Sequence, residues 1–233
     1  MCSILITYIP MFWQEDIKQE HFTLPEAIQD AVFSIRTKVL PIDHAYPLSQ
    51  ALLKHLPWLA KVNAGVFDIS VADGNGWEQD HESGFYYPSK RSKLNIRIPK
   101  ERFGDIATLA GKILDLGEYQ IEVVKALEPK LMSDMQIVFA KHITCDENAS
   151  EEEFLQTSFT QLQALGIVPK KMMAGLKRKI STPNGIIHTC SLMVADLRKT
   201  ESVTLQEQGI GAHRLLGCGL FLPQKGIDSV NAV

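Results

Sequence analysis

Apolar and polar residues alternate along this chain with two different periods, and the period changes from one segment to the next. An alternation of period two predicts a half-buried strand at 31–40, and apolar residues three and four apart predict a helix from Leu48 to Leu56. The same criteria predict five further elements in this half, namely strands at 64–71, 85–87, 94–98 and 119–124, and a helix at 103–114. With the neighbouring candidates 85–87 and 94–98 taken together as one strand position, the order is strand, helix, strand, strand, helix, strand, which is that of a ferredoxin-like, or RNA-recognition-motif-like, unit.

The second half of the chain partly repeats this order. A strand is predicted at 135–140, and Ser150 followed by Glu153 is the pattern of a capping box at the start of a helix. Two strands at 171–181 and 186–194 follow, joined by a turn. The remainder departs from the repeat, because a polar segment and a glycine-rich loop precede the short apolar strand 220–222.

These patterns predict an α+β protein with two tandem ferredoxin-like domains. We expect an N-terminal arm at 1–30, a first domain at 31–128 and a second domain with the glycine-rich loop at 131–228. The arm begins with an apolar stretch that lacks the basic head of a signal peptide.

Composition and charge exclude several classes of protein. With 24 Lys and Arg against 27 Asp and Glu, the net charge is -3, which excludes a uniformly basic nucleic-acid binder. No apolar run reaches the length of a membrane span, so we expect no membrane partner. The four cysteines are scattered without a Cys-x-x-Cys pair, so we predict no metal site, reduced thiols and a cytoplasmic protein.

Positive charge is nevertheless concentrated in the predicted strand of the second domain. Residues 170–179 carry five bases and no acid. They are candidate RNA ligands, namely Lys170, Lys171, Lys177, Arg178 and Lys179. The run fits either a track for RNA phosphates or a solvated edge strand that uses lysines against aggregation, and both interpretations stay open.

The glycine-rich loop is the most distinctive segment of the sequence. Six of its residues are candidate ligands for a phosphate, namely Gly209, Gly211, His213, Arg214, Gly217 and Gly219. Successive backbone N–H groups in such a loop can cradle a phosphate, and an arginine adds a fixed charge. A dinucleotide site is excluded because a strand rather than a helix follows, and a P-loop because no Gly-Lys-Ser/Thr is present. The alternative is a tight loop that only packs the last strand.

The loop between the first strand and the first helix carries the second candidate site, Asp43-His44-Ala45-Tyr46. Histidine exchanges protons near neutral pH, and His44 has a carboxylate before it and a phenol two residues on. The alternative is that Asp43 and His44 cap the helix while Tyr46 packs. His55 is the rival histidine, but it falls on the apolar stripe of the helix, which predicts a core residue.

Residues 204–225 resemble the C-terminal glycine-rich signature of the CRISPR repeat-processing endoribonucleases, the sixth Cas family, and most of all its MYXAN-type branch. Residues 40–48 match the family as well, and 191–197 match more weakly. The resemblance covers about 31–228 and implies tandem ferredoxin-like domains. It also implies a protein that cuts CRISPR precursor RNA at a repeat stem-loop and delivers the mature guide RNA to the subunits of a type I surveillance complex.

The resemblance further implies a catalytic histidine in or near the first helix, which favours His44 as the proton-transfer group and Tyr46 as the residue that orients the attacking hydroxyl. RNA supplies its own nucleophile, the 2'-hydroxyl, so no metal or cofactor is expected. The products are then a 2',3'-cyclic phosphate and a 5'-hydroxyl, with Arg214 or a lysine of the basic strand offsetting charge at the phosphate.

Two other functions stay open at this point. The protein could bind repeat RNA without cutting it, as a subunit of the surveillance complex. It could also be a small-molecule enzyme that uses the glycine-rich loop for a phosphorylated cofactor.

Overall fold

The computed structural model describes residues 22–69, 79–80, 84–89 and 91–224. Most of the predicted N-terminal arm and the end of the second domain beyond Gln224 lie outside the described residues.

The first unit is built on an antiparallel sheet. Its strands and helices are β1 (Ile28–Arg36), β2 (Leu40–Pro41), α1 (Ala45–His55), β3 (Gly65–Val66), β4 (Gln79–Asp80), β5 (Phe85–Tyr86), β6 (Lys93–Pro99), α2 (Phe103–Ile106), β7 (Ile113–Asp115), β8 (Gln120–Ala126) and β9 (Lys130–Leu131). The main sheet has the order β3-β6-β1-β8-β7, and β9 pairs with β1. The four strands β3-β6-β1-β8 thus have the order of a ferredoxin-like unit.

One face of this sheet is buried against α1 because the strand residues alternate. Phe33 of β1 and Ile96 of β6 point into the same core, which Leu48 and Leu52 of α1 close from above. All four side chains are at most 1% exposed. The period-two and helical patterns of the sequence are therefore confirmed for these elements.

The second unit repeats the same topology. Its elements are β10 (Val138–Thr144), α3 (Glu151–Ala164), β11 (Lys171–Thr182), β12 (Gly185–Ala195), α4 (Lys199–Gln208) and β13 (Phe221–Pro223). The sheet order is β11-β12-β10-β13, with all neighbours antiparallel. The predicted class, α+β with tandem ferredoxin-like units, is confirmed. The domain boundaries stay a prediction, although the pairing of β9 extends the first sheet to Leu131.

Several local predictions are confirmed and others are wrong. The capping box of α3 forms, because the Ser150 side chain accepts from the Glu153 amide while Glu153 accepts from the Ser150 amide. The helix predicted at 103–114 is wrong at its end, since only short helical turns occupy 100–109 and residues 113–115 form β7. The polar segment before the glycine-rich loop is the helix α4, which the apolar pattern does not reveal.

Candidate functional site: a cleft between the two units

A cleft of about 590 Å³ lies where the two units meet. The first unit contributes α1 and the segment 59–64, and the second contributes the turn of the β11–β12 hairpin and residues 211–216 of the glycine-rich loop. The hairpin is held to the first unit by the carboxylate of Asp43, which accepts a hydrogen bond of 2.8 Å from the Ser181 amide. The cleft therefore combines the two stretches that the sequence singled out.

Tyr46 and His213 both line this cleft. Tyr46 lies in the first turn of α1 and is half-buried, whereas His213 is exposed. The backbone of His213 is left-handed, with φ of 65°, and its carbonyl accepts hydrogen bonds from the amides of Leu216 and Cys218. Such a conformation is costly for a residue with a Cβ and is typical of functional sites. The described lining of the cleft thus includes a phenol and an imidazole, both of which are side chains used for proton transfer.

The structure encloses His44 completely, at 0% exposure. Its Nδ1 lies 2.8 Å from the Pro41 carbonyl oxygen, and its Nε2 lies 2.9 Å from Oδ1 of Asp68. Burial by itself lowers the pKa of His44, but the hydrogen bond to Asp68 and the charge of that carboxylate outweigh it, so the pKa lies above its ordinary value. The ring does not contact the cleft in this structure, which speaks against direct proton transfer from His44 to RNA.

Asp68 connects this histidine to the second unit. Its other carboxylate oxygen accepts a hydrogen bond from Nζ of Lys141, a residue of β10. Burial raises the pKa of Asp68, but the hydrogen bonds from His44 and Lys141 and their charges hold it far below its usual range. An imidazole, a carboxylate and an ammonium thus form a mostly buried chain across the unit boundary. The sequence offered one signal, because Asp68 is a lone carboxylate in an apolar strand-like segment.

His142 lies beside this chain and was also missed by sequence reasoning. Its Nδ1 is 3.0 Å from Oγ1 of Thr189, and burial lowers the pKa of the ring to about 4. The imidazole is therefore neutral at pH 7, whereas the pKa of His44 is shifted in the opposite direction. No pattern in the sequence distinguishes His142 from a solvent-exposed histidine.

Two expectations about the first helix are wrong. Asp43 and His44 do not cap α1 with their side chains, since the cap has no side-chain hydrogen bond and Asp43 binds Ser181 instead. His55 is exposed at the end of α1 and does not belong to the core.

The glycines of the loop serve mainly the packing of the chain. Gly209, Gly217 and Gly219 are buried, and only Gly211 is exposed. A Cβ on Gly209 would lie 2.1 Å from the Gly219 carbonyl oxygen, and a Cβ on Gly219 would lie 2.1 Å from that of Ile210. The amides of the three buried glycines all donate within the protein. They are not available to a phosphate in this structure, so the packing interpretation accounts for three of the four.

Arg214 is also engaged within the protein. Its Nη1 lies 2.5 Å from the Gln208 carbonyl oxygen and its Nη2 lies 3.2 Å from that of Glu207. Burial, together with the charge of Arg97, lowers the pKa of Arg214 to about 10, so the side chain stays charged at neutral pH. A cation at the C-terminal end of α4 stabilises the helix dipole. Arg214 nevertheless lines the cleft and adds positive potential to it.

The basic run forms most of β11, which is an edge strand of the second sheet. Of the five bases, Arg178 is half-buried and the other four are exposed. Lys171 lies 3.0 Å from Asp196, Lys177 donates to the Ala149 carbonyl, and Lys179 lies 3.8 Å from Glu147. The carboxylates of Asp196 and Glu147 thus offset part of the charge, and both interpretations of this strand stay predictions.

Among the described residues, no group of three or more His, Cys, Asp or Glu side chains is placed to hold a metal ion. Within the same part of the chain, every helix is too short or too polar to cross a lipid bilayer.

Comparison with known proteins gives consistent matches. A family model described as Cas6 Crispr matches residues 29–226. The chain is 30% identical over 202 residues to the CRISPR-associated endonuclease Cas6 of Myxococcus xanthus strain DK1622, a match that covers 83% of this chain and 80% of that protein.

Two solved structures have the same fold. A CRISPR associated protein Cas6 superposes with a TM-score of 0.60 at 14% identity, covering 85% of this chain and 100% of the other. The product of a Cas6-related gene from Pyrococcus furiosus superposes with a TM-score of 0.53 at 12% identity, covering 84% and 98%.

Proposed function

The chain belongs to the Cas6 family, and from that premise we propose that it is an endoribonuclease that cuts CRISPR precursor RNA within its repeats to release guide RNAs. The relative from Myxococcus xanthus, which is matched over most of both chains, is named an endonuclease. The resemblance of residues 204–225 to the glycine-rich signature supports the same reaction.

One observation carries the proposal: the cleft between the units is lined by a phenol from the first unit, Tyr46, and by an imidazole from the second, His213. Cleavage needs only a group that takes the proton of the 2'-hydroxyl and one that gives a proton to the leaving 5'-oxygen. The 2'-oxygen then bonds to phosphorus as the bond to the 5'-oxygen breaks, which yields a 2',3'-cyclic phosphate and a 5'-hydroxyl. No metal ion is needed for these steps.

We assign the proton-transfer roles to the exposed groups. His213 gives or takes the proton, and Tyr46 orients the attacking hydroxyl or acts as its partner. His44, which the sequence suggested for proton transfer, holds Asp68 and through it Lys141. Lys141 is one-third exposed, and Arg214 lines the cleft, so each supplies positive charge near the boundary of the units.

The decisive experiment incubates the purified protein with end-labelled repeat RNA in the presence of EDTA. We expect cleavage at one position, and no cleavage when the nucleotide before the cut carries 2'-deoxyribose. Cleavage of the deoxy substrate would contradict the mechanism. RNA that is bound but left intact would favour the alternative, a repeat-binding subunit that does not cut.

We further propose that the protein keeps its mature guide RNA and joins the subunits of a type I surveillance complex in the cytoplasm. The support is the resemblance of the glycine-rich segment to the family signature. Sequencing the RNA and identifying the proteins that co-purify with the tagged chain from its host tests both points. Isolation of the chain without guide RNA or other CRISPR proteins would contradict them.

A further inference from the structure

Arg97 is a buried cation of the first unit, only 1% exposed. It lies on β6 directly opposite Asp30 of β1. Its Nε is 2.7 Å from Oδ1 of Asp30 and its Nη2 is 3.0 Å from Oδ2, so the two side chains form a bidentate ion pair. The guanidinium carbon also lies 4.9 Å from the centre of the Phe67 ring.

The remaining nitrogen of Arg97 reaches the second unit. Nη1 donates to the Gln206 carbonyl at 2.5 Å and to the Phe221 carbonyl at 3.0 Å. Gln206 lies in the last turn of α4, and Phe221 begins β13. These two carbonyls flank the glycine-rich loop, so one side chain binds the backbone on both sides of it.

The end of α4 explains why guanidinium groups are used here. The last carbonyls of a helix have no amide partner within the helix and carry its negative end. Arg97 donates a hydrogen bond to the Gln206 carbonyl, and Arg214 donates to the carbonyls of Glu207 and Gln208. A lysine cannot replace Arg97, because a single ammonium does not reach two carboxylate oxygens and two carbonyls in the planar geometry of the fork.

We propose that Arg97 is a positioning residue for the glycine-rich loop. By fixing the chain before and after the loop, it sets where the loop meets the first unit and hence where His213 lies relative to Tyr46. The placement of the loop follows from the contacts above. Its consequence for cleavage rests on the proposed endoribonuclease function.

Hydrogen exchange of the protein without RNA tests the placement. Arg97→Lys is compared with wild type and with Arg36→Lys, a matched change at an arginine of β1 whose side chain is 72% exposed. We expect exchange at the amides of 216–219 to rise about tenfold in Arg97→Lys, because hydrogen bonds from a charged donor are lost. Strand β12 should exchange as in wild type, and Arg36→Lys should change neither segment.

If Arg97→Lys does not fold, Asp30→Asn is the second variant. It keeps the guanidinium but removes the charge that holds it in place, and the loop amides should again exchange faster than β12. Exchange that rises equally across the whole chain in the folded variants, or not at all, would show that Arg97 only stabilises the fold and would overturn the proposal.

Cleavage kinetics test the consequence. We expect kcat of Arg97→Lys to fall about 10–100-fold with KM changed much less, since a displacement of about 1 Å in a catalytic group has this effect. An unchanged kcat in a variant with a mobile loop would overturn the positioning role. A wild-type protein that cuts no RNA would overturn the proposed function and leave the exchange result standing.

Discussion

Oδ1 of Asp68 lies 2.9 Å from Nε2 of His44, in an ion pair whose histidine has no exposed surface. A buried carboxylate is stable only while its charge is paired, and Asp68 has two partners, His44 and Lys141. The pair therefore holds the loop before α1 to the segment after β3. The bond from Lys141 to the same carboxylate connects both to the second unit.

The exposed histidine of the cleft is predicted to carry the chemistry. His213→Ala should lower kcat by about 10²–10⁴-fold and leave RNA affinity nearly unchanged, because one proton-transfer group is removed. Single-turnover cleavage of labelled repeat RNA measures this, with His55→Ala as the control at another exposed histidine.

The same assay on His44→Asn decides between the two histidines. If His213→Ala kept full cleavage activity and a folded His44→Asn protein had none, His44 would be the proton-transfer group. This result would also require an RNA-induced opening around that ring.

Loss of the proton of His44 is predicted to lower the stability of the protein at alkaline pH, because the protonated ring stabilises the fold. Its pKa in the folded state lies above the ordinary value of 6.5. This contribution is therefore complete below pH 6.5 and is lost as the pH rises through the pKa of the folded protein. Urea unfolding from pH 6 to 9 should show a decline in wild type that is absent in His44→Asn. Parallel profiles for the two proteins would contradict the ion pair.

Protonation of His142 is predicted to act in the opposite direction at acidic pH. Its pKa falls from 6.5 to about 4 in the folded protein, so the unfolded chain binds the proton more tightly between these values. Stability should therefore decrease as the pH falls from 6.5 to 4, by up to about 3 kcal/mol. Urea unfolding of His142→Asn should show a flatter profile in this range than His55→Asn, and equal slopes would argue against the buried neutral ring.

Substitution of Gly219 is predicted to destabilise the protein because the residue is closely packed, and not because it contacts RNA. A Cβ there would lie 2.1 Å from the Ile210 carbonyl oxygen, and φ is 71°. Gly117→Ala is the matched control, because φ is 92° and no atom lies within 4 Å of the added Cβ. Both changes cost about 1–2 kcal/mol of backbone strain, and Gly219→Ala should cost clearly more in thermal and urea unfolding. Equal losses would show that the loop adapts easily.

The basic strand is predicted to contact RNA phosphates. Replacing Lys177 and Lys179 with Gln should weaken binding of all RNA sequences and reduce the slope of log affinity against log salt by about 0.7 for each lost contact. Lys112→Gln with Lys125→Gln is the matched control on the first unit, where both lysines are exposed. If the two double variants had the same slope of log affinity against log salt, β11 would be a solvated edge strand without RNA contacts.

The sequence predicted the topology well because most elements bury one clear apolar face. The helix α4 was missed because polar side chains fill its buried side. Ser202 and Gln206 are fully buried and donate hydrogen bonds to carbonyls of Met135 and Ser133. Spacing rules score such residues as exposed, although their hydrogen bonds satisfy them inside the protein.

The candidate site was predicted only in outline. The motif around Tyr46 and the glycine-rich segment do meet at one cleft. The sequence does not reveal how deeply each of the two imidazole rings is buried, because that depends on contacts with residues distant along the chain. His44 contacts Asp68 and Pro41 and has no exposed surface, whereas His213 is exposed at a left-handed position of the loop.

The tight contact between Gly209 and Gly219 has a practical consequence for genetics. A genetic selection for loss of activity would recover mutations at these two codons together with mutations of the proton-transfer groups, although the amides of both glycines are hydrogen-bonded within the protein. Scoring the abundance of each mutant polypeptide would separate the two kinds, since the glycine mutants would be degraded while a mutant of a reaction group would accumulate.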